Sequence, residues 1–144
     1  MQEITVSQLH QILPDVLVNQ PVQLAYLYGS VVTGYTTPFS DVDIALLTTE
    51  PLAPLARLRL IQHVQTRLYE DLEMVNVDVR IINDAPLVLQ GRVVTDGVLL
   101  YTRDEQARFD FETITRMHYF DYLPIHKRLQ EAFFDTIRTR GLHG

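Results

Sequence analysis

Two carboxylates two residues apart, Asp41 and Asp43, follow a Gly29-Ser30 pair by ten residues in the stretch LYGSVVTGYTTPFSDVDIALL. Residues at i and i+2 of a β-strand share one face, ~6.6 Å apart along the backbone, so both carboxylates can converge on shared cations. Such a pair suits two Mg2+ ions ~3.5–4 Å apart, which clamp the attacking and leaving oxygens of an in-line phosphoryl displacement. The clamp needs a third acid. Asp78, in VNVDVRII, lies on the polar side of a second strand pattern, where it can complete a metal site and accept the proton of an incoming hydroxyl. Gly29 lets the chain approach phosphate closely, and the Ser30 hydroxyl and the amides of the following turn can donate to triphosphate oxygens.

A lone Asp-x-Asp on a strand is usually a solvated face; the fixed spacing is what argues for chemistry. At typical residue abundances the four-residue pattern arises by chance in roughly a few chains per thousand of this length. A calcium loop is excluded, because Ala45 stands where another Asp or Asn is needed and the Gly and terminal Glu are also missing. No serine, histidine and acid trio has supporting context, and the five histidines lack metal spacing. The absence of cysteine removes disulfides, thiolate zinc sites and cysteine nucleophiles together.

The elements that must position these residues are readable from periodicity. Ser7 opens a short helix that Pro14 is expected to end or kink. Val22 to Tyr28 reads as a strand stopping at Gly29-Ser30, followed by a turn into a short helix, and Asp41 to Leu47 as a half-buried strand with its acids on one face. Leu55, Leu58, Ile61, Val64, Leu68 and Leu72 recur at helical spacing, which predicts an amphipathic helix from Pro51 or Pro54 to Glu73. Val75 to Ile82 alternates, with Val75, Val77, Val79 and Ile81 on one side and Asn76, Asp78 and Arg80 on the other. A short helix from Pro86 to Thr95, a strand from Val98 to Tyr101, and helix from Asp104 to near Arg140, interrupted at Pro124, complete the chain. The pattern predicts one α/β domain over residues 1–144, with a core at 1–102 and a helical segment at 103–144.

The net charge of −6 is unevenly spread: residues 1–102 carry five arginines against eleven acids, and residues 103–144 seven basic against seven acidic residues. An acidic core repels a long phosphate backbone, so a polynucleotide substrate is disfavoured and bound cations are favoured. The N-terminus has no basic region followed by an apolar stretch, and no segment approaches the ~18 apolar residues of a membrane span, so a soluble, cytoplasmic protein is expected.

The motif resembles the Gly-Ser, ten residues, Asp-x-Asp signature of the DNA polymerase β-like nucleotidyltransferase superfamily, in particular its minimal nucleotidyltransferase (MNT) branch. The resemblance spans nearly the whole chain. Its size, the early motif, a third Asp near the middle and the tail YFDYLPIHKRLQEAFF are similar to MNT antitoxins that partner HEPN-domain ribonuclease toxins. The resemblance implies an α/β (α+β) palm whose mixed sheet carries the three Asp residues on one face with helices packed on the other. It also implies ATP as substrate, two Mg2+ ions held by Asp41, Asp43 and Asp78, nucleotide binding at Gly29, Ser30, Gly34 and Ser40, and transfer of AMP to a tyrosine of the toxin. Two other readings stand beside it, a small-molecule nucleotidyltransferase of the aminoglycoside-modifying kind and a binding-only antitoxin. The former usually has a larger second domain, and retention of three acids argues against the latter.

One departure matters: relatives often place a basic residue after Gly-Ser, whereas Val31, Val32 and Thr33 fill that gap here. Arg80, on the predicted face of Asp78, can supply the charge, or can form a plain ion pair. Arg57 and His63 imitate an Arg-x-His ribonuclease pattern but belong to a solvated helix face. Tyr119, Tyr122, His118 and His126 read as aromatic packing between two helices, with a partner surface as the competing explanation.

Overall fold

The structure, a computed structural model, describes residues 6–29 and 42–141. Helix α1 (Val6–Leu17) leads into β1 (Val22–Tyr28), followed by β2 (Val42–Thr48), α2 (Pro54–Leu72), β3 (Val77–Ile81), α3 (Leu87–Asp96), β4 (Val98–Thr102) and α4 (Glu105–Thr136). A π-helical turn, Ile137–Gly141, ends α4. The short helix expected after Gly29-Ser30 lies outside the described residues.

The strands form one sheet in the order β3-β2-β1-β4. β1 is antiparallel to both neighbours and β2 is parallel to β3, so the sheet is mixed as expected. The parallel pair needs a crossover of a dozen or so residues, which α2 supplies.

One face of the sheet buries Ala25, Leu27, Ile44, Leu46, Val77, Val79 and Ile81 beneath α1 and α2, which contribute Leu9, Leu13, Val16 and Leu17, and Leu60, Val64 and Leu68. Each of the Val, Leu and Ile side chains contributes ~1.5–3 kcal/mol on leaving water, so this layer dominates the hydrophobic stabilisation. The opposite face is divided. Leu24, Tyr26, Ala45 and Ile82 pack with Leu89 and Val93 of α3 and Phe111 of α4, while Tyr28, Asp43 and Asp78 lie toward one end. Helices therefore cover part of the acidic face as well, which corrects the expectation that they pack only behind it. The cause is in β1, whose run VQLAYLY is apolar on both sides and needs cover on both.

A partly buried polar contact fixes α4 to the sheet. The Tyr26 hydroxyl donates to Glu112 Oε1 at 3.0 Å, and Arg108 and Arg116 neutralise that carboxylate at 3.2 and 3.6 Å. Burial, reinforced by the Glu112 charge, pushes the Tyr26 phenol far above its usual range. Gly91 of α3 lies so close to Tyr119 of α4 that a Cβ there would overlap the ring.

Four local readings change. Ser7 lies inside α1 rather than capping it, because the helix already includes Val6. Helix α1 runs through Pro14, and α4 runs through Pro124 rather than being interrupted there. Both prolines are exposed, so the carbonyls they leave without amide donors can be hydrated. β3 begins at Val77, and Val75, placed by alternation on the apolar side, is 74% exposed ahead of the strand.

Candidate functional site

Strand register assembles the acids. The antiparallel pairing sets Tyr28 opposite Asp43, and the parallel pairing sets Asp43 beside Asp78. Neighbouring strands are ~4.7–4.9 Å apart, and residues in register share a face, so Tyr28, Asp43 and Asp78 form a row across three strands. Both acids are half-buried. Asp78 faces away from the Val77, Val79 and Ile81 side, as its alternation predicts.

Gly29 closes β1 with φ at 86°, in the left-handed region. A Cβ at this position would also overlap Asp43 Oδ2. Glycine is thus needed twice, for its backbone angle and for the space it yields to a carboxylate. Gly29→Ala is expected to lower stability by about 1–3 kcal/mol, because it combines an unfavourable backbone region with displacement of Asp43. Denaturant unfolding measures this. A variant as stable as the parent would show that Asp43 moves aside at no cost.

Arg80 lies two residues beyond Asp78 on the same face of β3, with the short Ala45 as its register partner. Its Nε donates to Asp78 Oδ2 at 3.2 Å. The hydrogen bond to Asp78 raises the guanidinium above its ordinary pKa, with Tyr28 and Asp43 adding to the field. Burial raises the Tyr28 phenol, Arg80 opposes that rise, and Asp43 and Asp78 reinforce it.

The structure therefore brings together Gly29, Asp43 and Asp78 and adds Tyr28, which sequence reasoning missed. Its only sequence signal is adjacency to Gly29; the pairing with Asp43 is set by a register that periodicity cannot specify. Ser30, Gly34, Ser40 and Asp41 lie outside the described residues. Among the described residues no three His, Asp or Glu side chains are grouped closely enough to hold a metal. Two adjacent carboxylates with hard oxygen donors nevertheless suit Mg2+ chemically.

The competing candidates have structural explanations. Arg57 pairs with Asp84 at 3.2 Å, and His63 Nε2 lies 3.0 Å from the Val16 carbonyl oxygen. Tyr119 packs inside against Gly91, and Tyr122 stacks on His126 one turn away with ring centres 5.4 Å apart. These contacts lie along one helix or against α3, so they do not join two helices at Pro124. Beyond them α4 exposes Phe109, Met117, Phe120, Leu129, Phe133 and Phe134. Among the described residues no helix is long and apolar enough to cross a membrane.

Comparison with known proteins gives a family match over residues 11–106, to the polymerase beta nucleotidyltransferase model. The chain is 33% identical over 117 residues to the protein adenylyltransferase MntA of Shewanella oneidensis, covering 80% of this chain and 78% of that protein. It superposes with a TM-score of 0.65 at 25% identity on a chain from the tri-AMPylated Shewanella oneidensis HEPN toxin in complex with MNT antitoxin, covering 90% of this chain and 99% of that one. A toxin–antitoxin structure with AMP-PNP superposes with a TM-score of 0.66 at 27% identity, covering 91% and 99% of the respective chains.

Proposed function

The chain belongs to the polymerase beta nucleotidyltransferase family, and on that premise we propose that it is a cytoplasmic, Mg2+-dependent protein adenylyltransferase. In this reading it moves AMP from ATP to a tyrosine hydroxyl of a partner HEPN toxin and neutralises the toxin. The observation that carries it is the pairing of Asp43 with Asp78 on adjacent strands, beside a glycine whose Cβ would displace Asp43. The likeness to an adenylyltransferase of similar length, and to complexes of an MNT antitoxin with an AMPylated toxin, supports the acceptor and the partner.

Asp43 and Asp78, with Asp41 two residues before Asp43 in the sequence, would hold two Mg2+ ions. When bound, these cations neutralise the triphosphate and the charge that develops during transfer. Asp78 accepts the tyrosine proton as the phenol oxygen bonds to the α-phosphorus. The bond from that phosphorus to the bridging oxygen breaks, and pyrophosphate leaves on the opposite side. Gly29 keeps the backbone close enough for amide donors to reach phosphate, and Ser30, Gly34 and Ser40 complete the nucleotide-binding loop on the strength of the motif. Residues 1–102 form the catalytic core and 103–144 the partner-binding segment of one domain.

Intact-mass spectrometry of the toxin, incubated with this protein, ATP and Mg2+, tests the reading. AMP increments should appear and should vanish when a chelator replaces Mg2+. Stoichiometric neutralisation with no added mass would make the protein a binding-only antitoxin.

A further inference from the structure

The row of acids carries its own counter-ion. Arg80 and Asp78 share a strand face and touch at 3.2 Å, yet both side chains are open to solvent, 58% and 42% exposed. An ion pair this exposed adds little stability and can be exchanged at small cost. It occupies one acceptor site of the Asp78 carboxylate, on Oδ2, and it sets a positive charge where a divalent cation would arrive. The guanidinium also acts electrostatically on Asp43 and Tyr28, so its field extends along the row. The segment after Ser30, meanwhile, reads Val31, Val32, Thr33 and provides no cation for a triphosphate.

From this juxtaposition we propose that Arg80 is a phosphate-binding residue held in reserve by Asp78: a divalent cation displaces it from the carboxylate, and the freed guanidinium turns to the triphosphate. The planar fork of Arg matches phosphate oxygens in pairs, which a strand-borne residue ~6.6 Å from Asp78 can present to a nucleotide lying over the row. The exchange leaves the charge near Asp78 balanced both before and after substrate arrives. It rests on the nucleotidyltransferase reading of the site, and it predicts two opposite effects of one substitution, which a merely structural ion pair would not produce.

Full-length Arg80→Gln and Arg80→Lys proteins, titrated by calorimetry first with Mn2+ alone and then with a non-hydrolysable ATP analogue in the presence of Mn2+, test it. Arg80→Gln should bind Mn2+ alone about fivefold more tightly, because a competitor has gone, and bind the nucleotide about tenfold more weakly. Arg80→Lys should keep Mn2+ affinity near the parent value and recover part of the nucleotide affinity, since it restores the charge without the fork. The thermal midpoint without metal should stay near that of the parent for both. Unchanged Mn2+ and nucleotide affinities in Arg80→Gln, or weaker Mn2+ binding, would overturn the exchange. Parent protein that binds no Mn2+ would overturn the metal reading and the exchange with it. The expected pattern without AMP transfer to the toxin would uphold the exchange and count only against the proposed acceptor.

Discussion

Asp43→Asn is expected to lower AMP transfer by at least about a thousandfold while leaving the metal-free protein as stable as the parent or more so. The activity loss follows from position. Asp43 is in register with Asp78, and on the proposed reading removing its charge takes away a cation ligand that would act in the transition state. The stability expectation has the opposite sign because two carboxylates on adjacent strands repel one another, and Arg80, paired with Asp78, offsets only part of that repulsion. Asn keeps the shape of Asp, so the fit against Gly29 should survive. Single-turnover transfer read by mass and thermal unfolding of the apo protein measure the two halves separately. If unfolding shifts down by many degrees, Asp43 is a structural residue and the site assignment fails.

Truncation before Pro124 should produce the complementary result: a folded protein that binds nucleotide but associates with the toxin at least about a hundredfold more weakly. Among the described residues, the hydrogen bonds and buried side chains that fasten α4 to the body precede that point. Asp104 caps the helix through the Gln106 amide, Glu112 accepts from Tyr26, Phe111 joins the second apolar cluster, and Thr115 and Tyr119 are buried. Past Pro124 the helix presents Ile125, Leu129, Phe133 and Phe134, each at least half exposed. Aromatic side chains concentrate at the centres of protein interfaces, and here they are far more than a solvated helix needs. Asp43→Asn should retain toxin association, so binding and chemistry separate across the two variants. Pull-down with tagged toxin, together with circular dichroism to verify folding, provides the check. Association at parental strength after truncation would move the docking surface elsewhere.

The two outcomes also show how differently the parts of this protein can be read. The strand alternation that turns Asp78 away from the valines and the helical period of α2 are both local and appear in the folded chain, although α2 buries Leu60, Val64 and Leu68 and leaves Leu55 and Leu58 of the predicted stripe exposed. Pro124 misled, and Pro14 does not end its helix, because at both exposed positions the carbonyl left without a donor can be hydrated and the helix continues. Val75 misled because alternation marks the side of a strand but not its first residue.

By itself the sequence determined which groups are available for chemistry and on which side of their strands they lie, since a period of two follows from backbone geometry alone. Which residues meet was decided by the tertiary structure. Nothing in the spacing of Tyr28, Asp43 and Asp78 specifies that β1 and β3 flank β2, or that the register aligns these three in one row, whereas Arg80 lies beside Asp78 by the period of its own strand. Register is set by the apolar faces that α1 and α2 cover on one side and α3 and α4 on the other, because a slip of one residue would turn the core outward and the acids inward.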